Sequence, residues 1–157
     1  MNIPKPLSDL KPCHESVLWL ETQSDLQSAW TACPRGDWML WLVNRTCGPV
    51  NTNSHRKFTL AKAKCARLVL HLFERKYPDD KRPRMALEAA EAYAGGEMRS
   101  AYVASADVSA YAADADADAA YASAYASAYA AYADYARFQT LSKCADEIRT
   151  VFPMCPL

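Results

Sequence analysis

Residues 119–129 read Ala119-Ala120-Tyr121-Ala122-Ser123-Ala124-Tyr125-Ala126-Ser127-Ala128-Tyr129. They lie within a longer tract, 101–136, made almost wholly of alanine, tyrosine, serine and aspartate. Alanine loses no side-chain entropy in a helix and has the highest helix propensity. No glycine or proline interrupts residues 97–141. A long helix is therefore expected there, and at ~1.5 Å per residue it forms a rod of ~60 Å. A rod that long exceeds the width of an ordinary domain, so a bend is compatible with the pattern.

At 100° per residue the tract separates into three stripes. Ala106, Ala110, Ala113, Ala117, Ala120, Ala124, Ala128 and Ala131 recur at intervals of three and four. Such a methyl stripe lets a neighbouring helix approach to ~8 Å, the close end of ordinary helix spacing. A second copy of the chain is one candidate neighbour, which makes a homo-oligomer a stated expectation. Tyr111, Tyr121, Tyr125, Tyr129, Tyr132 and Tyr135 form a second arc, shared by Asp107, Asp114 and Asp118. Serines and the remaining aspartates face the other way, toward water. Tyrosine has apolar area, few rotamers and a polar tip, which suits a contact surface. Asp107, Tyr111, Asp114, Asp118, Tyr121 and Tyr125 are therefore the candidate partner-binding residues, and the acids favour a basic partner. The competing reading is that the alanines seat on another helix while the tyrosines cover its flanks.

Helical signals continue outside the tract. Ser24 and Gln27 have capping-box spacing before a helix that runs through Trp30 to Cys33. Asp37 is a candidate cap for a helix over 38–44, apolar on every side. Cys47-Gly48-Pro49 ends it. Asn53 or Ser54 would start a longer helix over 57–76, with Ala61, Cys65, Leu68 and Leu72 on one face. Tyr77-Pro78 stops that helix, and Asp79 or Asp80 would cap the next, which Gly95-Gly96 closes. The fold class is thus all-α: a single-domain helical bundle with a long Ala-rich helix. The expected boundaries are an extended arm over 1–12, a helical domain over 13–152 and a tail over 153–157. Within the domain, 13–94 holds the core helices, 97–141 the long helix and 143–152 a terminal helix. The large apolar residues cluster before residue 80, so the core is expected mainly in the first half.

The chain has 157 residues and a formal net charge of zero, but the charges are segregated. Residues 56–84 hold ten Lys or Arg against three acids, and residues 85–136 hold eight acids against Arg99. These blocks can face each other within one chain or attract a charged partner. Lys64, Arg67 and His71 share a helical face, and Arg82 and Arg84 follow the next turn. They are the candidate ligand-binding residues for an anionic or nucleotide-like small molecule. A near-neutral balance without a recognised module argues against duplex nucleic acid.

Catalytic and metal signatures are weak. Cys13-His14, and Cys65 with His71, are close Cys/His pairs, and neither has the spacing of a zinc site. No phosphate loop, dinucleotide-binding glycine pattern or H-E-x-x-H occurs. Neither a cofactor nor a metal is expected, and no enzyme. The six cysteines read as free, mostly buried thiols in a reducing cytoplasm. Met1-Asn2-Ile3-Pro4-Lys5-Pro6 has no apolar leader core, and no apolar run nears the ~20 residues of a membrane span.

Three segments carry a resemblance: Asp37-Trp38-Met39-Leu40-Trp41-Leu42, Cys65-Ala66-Arg67, and Arg82-Pro83-Arg84-Met85-Ala86-Leu87-Glu88-Ala89-Ala90. Over roughly residues 13–152 the chain resembles the small helical "putative immunity protein" family found beside bacterial polymorphic toxins and in phage genomes. That family similarly pairs a tryptophan-rich first half with an alanine-rich helical tract. The resemblance implies an all-α, non-catalytic cytoplasmic protein that neutralises a protein target by binding it. The target would be a bacterial toxin or a defence effector. The resemblance brings no map of functional residues. Sequestration of a small anion and a structural oligomer stand as alternatives.

Overall fold

The computed structural model describes residues 5–97 and 136–157. The stripes of the alanine tract, the candidate residues on them and the continuity of a long helix over 97–141 lie outside these. All regular structure among the described residues is helical: α1 Lys5–Asp9, α2 His14–Glu21, α3 Leu26–Ala32, α4 Gly36–Thr46, α5 Asn53–Lys76 and α6 Arg82–Gly95. A last helix, α7, is described over 136–151.

Several helix boundaries differ from the sequence expectation, each for a local reason. The expected extended arm over 1–12 contains α1. Pro6 falls in its first turn, where backbone N–H groups have no intrahelical partner, so the ring costs no hydrogen bond. Leu7 then docks into the core at 3% exposure. The cap of α3 is Asp25 rather than Ser24: its Oδ1 accepts the Ser28 backbone N–H at 2.8 Å. Helix α5 starts four residues early because the Thr52 hydroxyl accepts the His55 N–H. Lys81 is the residue before α6, although Asp80 Oδ1 still accepts the Arg82 N–H at 3.1 Å. Gly96, at φ 80°, supplies the left-handed residue that closes α6.

Helix α5 is buried on two sides. Phe58, Ala61 and Cys65 enter the main core with Met39, Val43 and Ile148. Ala63 and Leu70 form a second, smaller cluster with Leu87 of α6. The end of α6 is pinned by Tyr93, whose hydroxyl accepts the Asn51 N–H at 3.1 Å. The main core is not confined to the first half. Ala145 and Ile148 of α7 are fully buried, beside Leu141 and Cys144. That stripe, at helical spacing, also removes the expected break near residue 142: α7 passes through it without interruption. Residues 153–157 are likewise held rather than trailing. Cys155 N–H donates to Gln27 Oε1 at 2.8 Å, and Gln27 Nε2 donates to the Pro153 carbonyl.

Helices α4 and α7 approach closely at Gly36. A Cβ on Gly36 would lie 2.5 Å from Cys144 Cβ and 2.9 Å from both Ala145 N and Leu141 O. Two of these atoms are backbone and cannot rotate away. Asp37, expected as the cap of α4, therefore sits in its first turn instead, and the helix begins at Gly36. Gly36→Ala is expected to destabilise the fold by about 1–3 kcal/mol through overpacking. Gly95→Ala meets only ordinary contacts beyond 3.8 Å and should leave stability unchanged or slightly higher. Urea denaturation of both variants checks this; equal stability of the two would show that the junction yields.

Candidate functional site

Helix α5 turns its polar positions toward acids on two other helices. Lys64 Nζ donates to Glu147 Oε2 at 2.8 Å and to Thr150 Oγ1 at 3.1 Å, both on α7. Arg67 forms a two-pronged pair with Glu91 of α6, with Nη2 to Oε2 at 2.6 Å. Arg84 binds Glu74 in the same two-pronged way, at 2.7 and 2.8 Å. Arg82 binds Asp80 in its own loop, and His71 is exposed. Four of the five candidate anion-binding residues, Lys64, Arg67, Arg82 and Arg84, are thus divided among separate carboxylates. An added anion would have to displace one of them. Part of the basic block does meet the acidic block within the chain, through Arg67 and Glu91.

The carboxylates respond as expected for charge-paired groups. Arg67 holds Glu91, and Arg84 holds Glu74, below the usual glutamate range. The Arg82 side chain, joined by its backbone N–H, lowers Asp80 to about 2. The Ser28 backbone N–H and hydroxyl do the same for the α3 cap Asp25, also to about 2.

A concavity of a different character lies elsewhere, among α2, α3 and α4. It is a cavity of about 580 Å³, within the usual size range of ligand pockets. Met39, Leu42 and Trp30 form its buried floor, and Trp19, Trp38 and Trp41 stand half-buried in its wall. The Trp19 and Trp38 rings are 6.1 Å apart and tilted. Their positions are fixed from outside. Trp30 Nε1 donates to the Phe152 carbonyl at 2.8 Å, and Arg149 Nη1 donates to the Cys33 carbonyl at the end of α3. At the rim, Arg35 lies over the Trp38 ring with Cζ 4.4 Å from its centre. Its Nε and Nη2 grip Asp37 at 2.9 and 2.7 Å, while Nη1 stands 3.6 Å from Glu15. Asp37 keeps the Arg35 guanidinium firmly charged.

None of the sequence-selected site residues lines this cavity. Its tryptophans read as core in the sequence because 38–44 is apolar on every side. In the fold only Met39, Leu42 and Val43 of that run are buried. The density of tryptophan between residues 19 and 41, next to Arg35 and Asp37, is the signal that points to a pocket.

The cysteines follow the free-thiol expectation. Burial raises Cys33, and a hydrogen bond with Cys144, reinforced by burial, holds the Cys65 thiol protonated. Neither has the thiolate character a nucleophile needs. Among the described residues no group of His, Cys, Asp and Glu is placed to hold a metal ion. No described helix is long and apolar enough to cross a membrane.

Fold and site together define a small all-α protein with a tryptophan-walled pocket and an ion-paired α5–α6 face. The family model described as "Imm-5 like putative immunity protein" matches residues 48–137, and the chain belongs to that family. No curated protein and no solved structure matches it. The matched segment contains α5 and α6 entire; the cavity is built outside it.

Lowered carboxyl pKa values set a direction for acid stability. Each such group is charged and paired in the fold above its unfolded value, and its contribution disappears as pH falls through the folded value. Unfolding free energy should therefore hold above about pH 4.5 and decline toward pH 2. Glu91→Gln should make that decline shallower. Urea midpoints measured across this range check it, and a midpoint independent of pH would contradict the pairing.

Proposed function

We propose that this chain is a non-catalytic protein that neutralises a bacterial toxin or defence effector by binding it inside the bacterial cell. The family match carries this reading, since it places the chain among immunity-type proteins. A chain carried by a phage would act the same way against a host defence effector.

The proposed contact surface is the Tyr/Asp arc of the tract: Asp107, Tyr111, Asp114, Asp118, Tyr121 and Tyr125. It is supported by the sequence pattern, in which aromatic side chains alternate with acids on one helical arc. The alanine stripe beside it would seat a helix of the same chain or of a second copy. Tagged protein should recover a protein partner from cells that carry the matching effector. The double variant Tyr121→Ala/Tyr125→Ala should keep its circular dichroism and melting temperature and recover at least about tenfold less partner, a loss of about 1.4 kcal/mol or more. Unfolding of that variant would return the tyrosines to the core. Undiminished recovery would move the contact surface elsewhere.

A further inference from the structure

The tryptophan cavity has the features of a recognition pocket, and no role in the established family match accounts for it. Its floor is apolar and its wall aromatic, so the group it takes must be largely apolar. Its rim carries two carboxylates, Glu15 and Asp37, against one guanidinium, Arg35. Asp37 is committed to Arg35 by two short hydrogen bonds, whereas Glu15 reaches it only at 3.6 Å and is 76% exposed. The surplus negative charge therefore sits on Glu15, beside the aromatic wall. That combination favours an apolar body with one positive charge.

Two residues that adjoin the lining in sequence expose apolar side chains. Leu18, next to Trp19, is 51% exposed, and Met154, next to Cys155 of the lining, is 66% exposed. A protein segment that inserts a side chain can also place a cation beside Glu15 at the open rim, where a free small molecule seated on the apolar floor need not reach. Tryptophan and arginine are also the residues most often found at the energetic centre of protein interfaces.

We propose that the cavity among α2, α3 and α4 is a socket for a segment of the protein partner that presents a large apolar side chain next to a lysine or arginine. The proposal rests on reading this chain as a protein-binding neutraliser. It adds a second contact, made of residues outside the matched segment 48–137. A partner held here and on the Tyr/Asp arc would meet acidic charge at both places.

The probe is the capped dipeptide acetyl-Phe-Arg-amide, titrated against the full chain while the indole N–H signals are followed by NMR. Acetyl-Phe-citrulline-amide removes the charge, and acetyl-Ala-Arg-amide removes the ring. The expected result is saturable movement of the Trp19, Trp38 and Trp41 signals by the first peptide. Each control should bind about two- to fivefold more weakly, as should the first peptide to Glu15→Gln. Glu15 is exposed, so this variant keeps its fold. Unmoved indole signals, or equal binding of the arginine and citrulline peptides, would overturn the proposal. So would free phenethylamine binding as tightly as the dipeptide, because a small amine would then be the better occupant. The titration reads the socket alone. Its failure leaves partner capture standing, and failure of partner capture with the socket intact would strike the neutraliser reading instead.

Discussion

Gly36 lies so close to α7 that no side chain fits between them, and the rest of the described fold is arranged around that contact. It lets the first turn of α4 rest on the backbone of α7 near Leu141 and Ala145. Only at this separation do Ala145 and Ile148 reach the main core beside Met39 and Val43. The same placement sets Arg149 under the end of α3 and the Phe152 carbonyl opposite the Trp30 indole. The two ends of the chain therefore close on each other. The cavity is a product of this closure: its floor belongs to α3 and α4, and Cys155 reaches it from beyond α7.

Between the two ends, α5 carries the matched segment's load. One face enters the main core and the other packs on α6, so the pair is fastened by apolar contact. The charged pairs Arg67–Glu91 and Arg84–Glu74 then fix which residues face each other. Exposed pairs of this kind add little to stability, because solvent screens them. Their main effect is electrostatic. They engage Arg67 and Arg84, two of the candidate anion-binding residues, and leave that face less suited to anions than its composition suggests.

The existence and class of the helices are plain in the sequence because apolar spacing and the Gly and Pro breaks are local signals. The capping residues are less legible. Thr52 and Asp25 act one or more residues from the expected caps, and neighbouring Ser, Asp and Asn side chains offer near-equal local bonds. The role of α7 in the core was not legible at all. Cys144, Ala145 and Ile148 look modest in sequence, and their burial depends on a glycine more than a hundred residues away. The cavity was hidden for a related reason. Trp38 and Trp41 satisfy every criterion of core residues until the fold leaves space beside them, and Arg35 gains meaning only when its guanidinium lies over Trp38.

A neutraliser that works by holding its target, as proposed for this chain, consumes protein in proportion to the target. The direct test is a titration of the purified protein against the effector it captures, with effector activity as the readout. The account predicts a linear fall that reaches zero at a fixed molar ratio and a complex of matching mass. Complete inactivation by a small fraction of a molar equivalent would mean turnover, and would contradict a neutraliser that acts by binding.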